Sequence, residues 1–147
     1  MPIQLIWGDD SASSNRAIEL FINEIVDPLW NTLNLSRLDG SELEQSKQAL
    51  NEARTPPFGN GGRVVLLKRS PICNNCPSEL SELFLEMIDL IPTNTYLILN
   101  NSIKPDKRLK STKALESLIR EKKAIERFFI LPTMWDIRGQ KEFINRT

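Results

Sequence analysis

Short apolar runs alternate with longer segments of helical periodicity along most of the chain. The run Val64–Leu67 is apolar throughout, which is typical of a central parallel strand that is covered on both faces. Because strands and helices alternate, we predict an α/β fold of three layers, a mostly parallel five-stranded sheet with helices on both faces. The other predicted strands are Ile3–Trp7, the weaker Leu33–Leu38, Thr95–Leu99 and Ile125–Leu131.

The segments between these runs predict the helices and their caps. The first helix begins near Ser11, Ser13 or Ser14, and each of these hydroxyls suits an N-cap. Ser41 and Glu44 have the spacing of a capping box for the second helix. That helix runs to about Arg54, a third begins at Pro77 and Ser78, a basic one runs from about Lys107 to Lys123, and the last spans Met134–Asn145.

Length and composition limit the classes of function. A chain of 147 residues suits one domain with a buried core. No apolar run approaches the ~20 residues that span a bilayer, and the N-terminus lacks the pattern of a signal peptide, so we expect a cytoplasmic protein without membrane contact. Lys and Arg number 19, as do Asp and Glu, and there is no histidine. We therefore expect neither broad electrostatic binding to nucleic acid nor a metal or other cofactor.

The stretch Gly8–Asn15 follows the first strand, which is where P-loop proteins hold phosphate. A P-loop needs a second glycine, a lysine and a hydroxyl residue at fixed spacing, and Ser13–Asn15 stand in their places. Asp9 and Asp10 would repel phosphate. We interpret them as favourable charge at the N-terminus of a helix.

The end of the third strand lacks the second half of a nucleotide site. Lys68 and Arg69 follow Val64–Leu67, where a P-loop ATPase keeps acidic residues that order Mg²⁺ and the attacking water. Because two independent parts are missing, we predict a degenerate P-loop site and a domain without catalytic activity. A P-loop-like nucleotide-binding ATPase is the alternative from a different functional class.

Several stretches together resemble a known family. They are LIWGDD, NLSRLDGSEL, ARTPPFGNGGRVVLLK, TYLILNNSIKPDKRLK and the terminal segment around Trp135. In order and spacing, essentially all 147 residues resemble the N-terminal AAA+-like domain of the bacterial DNA polymerase III delta subunit. The resemblance implies that residues 1–147 are a fragment that lacks the family's helical lid and C-terminal collar domains.

The resemblance also implies a role in DNA replication. The delta subunit is the clamp-loader member of the AAA+ class that has lost its ATP site. It binds the ring-shaped β sliding clamp and helps hold one interface open for loading onto primed DNA. The implied partners are the β sliding clamp and the other clamp-loader subunits, with DNA reached indirectly through the complex. The chain would then be a non-catalytic part of the DNA-directed DNA polymerase holoenzyme, which is a transferase.

In the family, apolar side chains at the turn before the third strand enter a pocket on the clamp. The matching residues are Thr55, Pro56, Pro57, Phe58 and Gly59. Phe58 lies between prolines and glycines, so a stiff loop would present it with little entropy to lose. The family commonly carries two adjacent large apolar residues, whereas the second here is Gly59, or the pair is Pro57 and Phe58 in a register shifted by one. The alternative is that Phe58 packs onto the core.

A basic segment is the second candidate surface. Residues 104–123 contain eight Lys or Arg against three acidic residues. Lys107, Arg108, Lys110 and Lys113 could contact DNA phosphate or an acidic neighbouring subunit, which leaves a DNA-binding module as a third interpretation. The alternative is a solvated helix face, because no aromatic residues are interleaved for base stacking.

Cys73 and Cys76 have the spacing of a redox pair or of half a zinc site. Structural zinc needs four ligands, and a chain with two cysteines and no histidine does not supply them from those residue types. A thioredoxin-like pair would follow the first strand and begin a helix, whereas this pair lies in a loop after the third strand. We therefore interpret both as loop thiols.

Overall fold

The computed structural model describes residues 2–132, in which five strands alternate with helices. The strands are β1 (Ile3–Trp7), β2 (Leu35–Asp39), β3 (Arg63–Lys68), β4 (Thr95–Asn101) and β5 (Ala124–Phe128). The helices are α1 (Ser11–Ile25), α2 (Asn31–Asn34), α3 (Leu43–Glu52), α4 (Ser78–Met87) and α5 (Lys110–Arg120), with a 3-10 turn at Pro28–Trp30. The predicted helix Met134–Asn145 lies outside the described residues.

The five strands form one parallel sheet in the order β2-β3-β4-β1-β5. The predicted α/β fold with a five-stranded sheet is therefore confirmed. Because all strands point the same way, the loops that follow β1 and β4 lie at the carboxyl edge of the sheet. The turn that precedes β3 lies at the opposite, amino edge.

Strand β3 is the centre of the core. Val65 and Leu67 face the layer formed by α3, α4 and α5, whereas Val64 and Leu66 face the layer that contains α1. All four side chains are fully buried. The alternation of faces along a strand explains why an uninterrupted apolar run is needed here. The predicted helices on both faces of the sheet are confirmed.

Asp10 caps α1, so the prediction that Ser11, Ser13 or Ser14 does so is wrong. The Asp10 carboxylate accepts hydrogen bonds from the Ser13 backbone N–H at 3.1 Å and from the Ser13 hydroxyl at 2.7 Å. A carboxylate satisfies an orphan N–H and also complements the positive end of the helix dipole. The interpretation of Asp10 as helix N-terminal charge is therefore confirmed.

Helix α3 also begins differently from the prediction. Ser41 and Glu44 do not form a capping box, because Glu42 occupies the N-cap position and makes no side-chain hydrogen bond there. The Ser41 N–H instead donates to the Asp39 carboxylate at 2.9 Å, which closes the turn between β2 and α3.

Other element boundaries shift by a few residues. Helix α5 is shorter than Lys107–Lys123, because the Asp106 carboxylate accepts the Arg108 N–H at 3.0 Å and holds this entry segment as a turn. Among the other differences, β2 begins at Leu35 instead of Leu33, α3 ends at Glu52 instead of about Arg54, β4 ends at Asn101 instead of Leu99, and β5 spans Ala124–Phe128 instead of Ile125–Leu131.

Phe84 on α4 tests the core between the sheet and the layer formed by α3, α4 and α5. Its side chain is fully buried, whereas its neighbour Leu85 is partly exposed. We expect Phe84→Ala to lower the free energy of unfolding by about 3–5 kcal/mol, because it leaves a cavity among close-packed side chains. Leu85→Ala is the matched control and should cost less than about 1 kcal/mol. Urea denaturation followed by circular dichroism measures both, and equal effects would contradict this account of the core.

Candidate functional site

The turn between α3 and β3 is held by a buried asparagine from a distant part of the chain. The Asn34 amide donates to the Phe58 carbonyl at 2.7 Å and accepts the Phe58 N–H at 2.8 Å. Asn34 is fully buried at the end of α2. The side chain thus bonds both backbone groups of Phe58, as a neighbouring strand would, and fixes this residue in place.

Two further contacts hold the rest of the turn. A Cβ atom on Gly59 would lie 2.2 Å from the ring carbon Cε2 of Trp30, and Gly59 has a φ of 60°. Glycine is therefore required there by both space and backbone conformation. The Thr55 carbonyl accepts a hydrogen bond from the buried Thr95 hydroxyl at 2.8 Å, which ties the turn to the start of β4.

Arg63, at the start of β3, connects the turn to α2. Its guanidinium donates to the Leu33 carbonyl at 2.7 Å and lies 5.8 Å from the centre of the Phe58 ring. It also approaches Glu52 with an N–O distance of 3.6 Å. Arg63 is buried, and its Nε atom has no hydrogen-bond partner in the described part of the chain. A buried cation is therefore positioned beneath the aromatic ring.

Phe58 itself is directed outward, because 47% of its surface is exposed. The alternative that Phe58 belongs to the core is therefore wrong. Pro56 is also exposed, while Pro57 and Thr55 are partly buried. The structure thus brings Thr55, Pro56, Pro57, Phe58 and Gly59 together at the amino edge of the sheet. Sequence reasoning missed Asn34, Trp30 and Arg63. Asn34 and Trp30 lie more than 20 residues before the turn, so no local sequence pattern connects them with it.

The loop after β1 uses its backbone N–H groups within the protein. Gly8 N–H donates to the Asn101 carbonyl at 3.1 Å, and Asp10 N–H donates to the Phe129 carbonyl at 3.0 Å. The Asp9 carboxylate accepts the Leu131 N–H at 2.7 Å. A P-loop cradles phosphate with such donors. Here they already have protein acceptors.

Opposite charges also meet at the end of β3. The Arg69 guanidinium makes two hydrogen bonds to the Asp39 carboxylate, at 2.9 and 2.7 Å. This pairing and the Ser41 N–H hold the pKa of Asp39 well below its usual range. A carboxylate is thus present near this strand end, but a guanidinium already occupies both of its oxygens.

The basic segment does not form one uniform positive surface. Arg108 pairs with Asp106 at 2.9 Å, and Lys107 lies 3.8 Å from Glu116. Lys110 and Lys113 are exposed on the first turn of α5, and within residues 2–132 neither has an ion pair. Of the four predicted contact residues, Lys110 and Lys113 are therefore the two that could meet a partner without breaking an ion pair that the structure shows.

The two cysteines are free thiols in residues 71–77. Cys73 is buried and Cys76 half-buried. Burial raises the pKa of Cys73 to about 11 and also raises the pKa of Cys76. A reactive cysteine needs a lowered pKa, so these surroundings favour the loop-thiol interpretation. Within residues 2–132, no group of three or more His, Cys, Asp or Glu side chains could hold a metal ion.

The comparisons with known proteins agree with the resemblance read from the sequence. The model of the family described as DNA polymerase III, delta subunit, matches residues 4–125. The chain belongs to the DNA polymerase III delta subunit family. Comparison with curated proteins found no match.

A solved structure shares the fold of this delta-family chain. It is the Bacillus subtilis DNA clamp loader delta protein (YqeN), with a TM-score of 0.72 and 24% sequence identity. The alignment covers 90% of this chain and 39% of that chain. The chain therefore spans well under half the length of this structural neighbour.

Replacement of Asn34 in this delta-family chain should release the turn. Asn34→Ala leaves the Phe58 N–H and carbonyl without their buried partner, so we expect a loss of about 1–3 kcal/mol of unfolding free energy. Hydrogen exchange at the Phe58 amide should accelerate at the same time. Asn31→Ala, an exposed position on the same helix, is the control and should leave both quantities unchanged. An unaltered exchange rate in Asn34→Ala would show that other contacts hold the turn.

Proposed function

We propose that this delta-family chain is a non-catalytic clamp-loader domain that binds the β sliding clamp through Thr55–Gly59 and helps hold the ring open for loading onto primed DNA. The observation that carries the proposal is the outward Phe58 ring. Asn34 holds the turn that presents it by bonding both the N–H and the carbonyl of Phe58. An apolar anchor on a preorganised loop loses little entropy when it enters a pocket.

Membership in the delta family supports the choice of partner. The structural neighbour is called a DNA clamp loader delta protein, which supports a place beside other clamp-loader subunits in a hetero-oligomer. We further propose that the chain is the AAA+-like first domain of a longer cytoplasmic protein that includes lid and collar domains. Within residues 2–132, no helix is long and apolar enough to cross a membrane.

We propose the absence of catalysis because polar groups of the loop after β1 already bond other parts of the chain. Its N–H groups bond Asn101 and Phe129, and its aspartates bond Ser13 and Leu131. Contact of Lys107, Arg108, Lys110 and Lys113 with DNA or with an acidic neighbouring subunit stays a prediction, for which the exposed Lys110 and Lys113 are the best candidates.

A nucleotide-binding enzyme is the second candidate, because a groove opens beside the same loop. The groove is about 460 Å³ in volume, and α1 and the residues around the end of β5 line it. Arg16 and Arg127 contribute positive charge, but Asp10 and Glu24 contribute as much negative charge. This balance disfavours a polyphosphate.

Phe58→Ala separates clamp binding from folding. We expect the affinity for the cognate sliding clamp to fall about thirtyfold or more, since a buried aromatic anchor contributes about 2 kcal/mol or more and ~1.4 kcal/mol is tenfold. The free energy of unfolding should fall by well under the ~3–5 kcal/mol typical of a core Phe, because the ring is 47% exposed. Titration calorimetry and urea denaturation measure the two quantities.

The matched control is Ile103→Ala, at an exposed position after β4, near the opposite edge of the sheet. It should leave the clamp affinity unchanged. If Phe58→Ala keeps wild-type affinity while Ile103→Ala loses it, the turn is not the clamp site.

Titration with Mg-ATP tests the enzymatic alternative. We expect no binding tighter than about 1 mM, because the N–H groups of Gly8 and Asp10 already have acceptors and the loop has no lysine. Micromolar affinity that Arg16→Ala or Arg127→Ala weakens would instead assign the groove beside α1 to nucleotide and contradict the non-catalytic proposal.

A further inference from the structure

A second apolar surface borders the Phe58 turn. Leu29 is 90% exposed and Leu33 is 49% exposed. Leu29 lies in the 3-10 turn Pro28–Trp30 and Leu33 in α2 (Asn31–Asn34), which follows it directly. Together with the partly buried Trp30, they form a surface that we call the apolar ledge.

The exposure of Leu29 is built into the local structure. The Asp27 carboxylate accepts the Leu29 N–H at 2.9 Å, and the Asp27 carbonyl accepts the Trp30 N–H at 2.8 Å. Pro28 occupies the first position of the 3-10 turn, where its fixed φ suits the helical conformation. A capped and rigid turn therefore holds the leucine toward solvent.

The apolar ledge is continuous with the turn that carries Phe58. The ring of Trp30 lies against Gly59, where no Cβ atom could fit. The Arg63 guanidinium bonds the Leu33 carbonyl and also lies beneath the Phe58 ring. One buried side chain thus contacts both segments, which places the ledge next to the turn.

The composition of both segments fits an apolar partner. Residues 28–36 and residues 55–62 contain no charged side chain, although charged residues make up 26% of the chain. Buried cores of protein interfaces are depleted of charge and enriched in aromatic residues, and these segments contain Trp30 and Phe58. A nucleic acid or an acidic protein surface would instead require cations.

We propose that the apolar ledge docks against the sliding clamp, beside the pocket that receives Phe58. This inference rests on the proposed function. It adds that the clamp presents an uncharged apolar surface wider than a single side-chain pocket. Leu29 and Leu33 supply apolar area from a segment next to Gly59, which has no side chain of its own.

The test compares single variants of the whole chain for binding to the cognate sliding clamp. We expect Leu29→Glu and Leu33→Glu each to weaken the affinity about tenfold or more, because each places a charge in an apolar contact. Ile103→Glu, 58% exposed and near the opposite edge of the sheet, is the matched control and should bind as the wild type does. Thermal melting should be unchanged in all three, and Phe58→Ala serves as the reference for the turn.

The outcomes separate this inference from the proposed function. If Phe58→Ala weakens binding and both ledge variants bind as the wild type does, the ledge does not contact the clamp and the proposed function stands. If the wild-type chain does not bind the clamp, both this inference and the proposed function are wrong. If the ledge variants lose affinity while Phe58→Ala does not, the ledge is supported and the turn is not the anchor. A wild-type dimer in sedimentation experiments that Leu29→Glu dissociates would assign the ledge to a second copy of the chain and overturn the inference.

Discussion

Strand β3 must satisfy its backbone hydrogen bonds without water, because every side chain of Val64–Leu67 is fully buried. It does so by pairing in parallel with β2 on one side and β4 on the other. Helices then cover both faces, and each connection must cross from one edge of the sheet to the other. The turn that enters β3 is therefore held at the amino edge, where the burial of β3 anchors one of its ends.

The candidate site depends on polar groups that this core would not otherwise need. Asn34 is fully buried, and both its amide nitrogen and its amide oxygen bond the backbone of Phe58. Arg63 is buried with its Nε lacking a hydrogen-bond partner in the described residues, which costs stability. The same guanidinium orients the Leu33 carbonyl and supports the Phe58 ring. The buried polar groups therefore cost some folding stability and hold the apolar Phe58 turn in place.

At the opposite edge of the sheet, the loop after β1 uses its polar groups within the protein. The N–H groups of Gly8 and Asp10 bond carbonyls that follow or end neighbouring strands, and Asp10 caps α1. These bonds fasten the loop to β4 and to the residues after β5. Donors that hold phosphate in a P-loop protein serve here to close the carboxyl edge of the domain.

The sequence by itself determined the fold class and the location of the turn. Apolar runs such as Val64–Leu67 and the helical periodicities between them depend on local spacing, and prolines and glycines around Phe58 exclude a helix there. It did not determine the helix caps. Several side chains near Ser11 and Ser41 could accept hydrogen bonds from the same backbone N–H groups, and only the folded chain selects among them.

Only the tertiary structure decided which way Phe58 points and what surrounds it. Its backbone partner Asn34 is 24 residues away, and the adjoining Leu29 and Leu33 have the helical spacing that usually indicates a core face. Their exposure follows from the cap at Asp27 and from the place of α2 at the amino edge. Periodicity records which residues share a face, whereas the direction of that face depends on contacts between segments far apart in the chain.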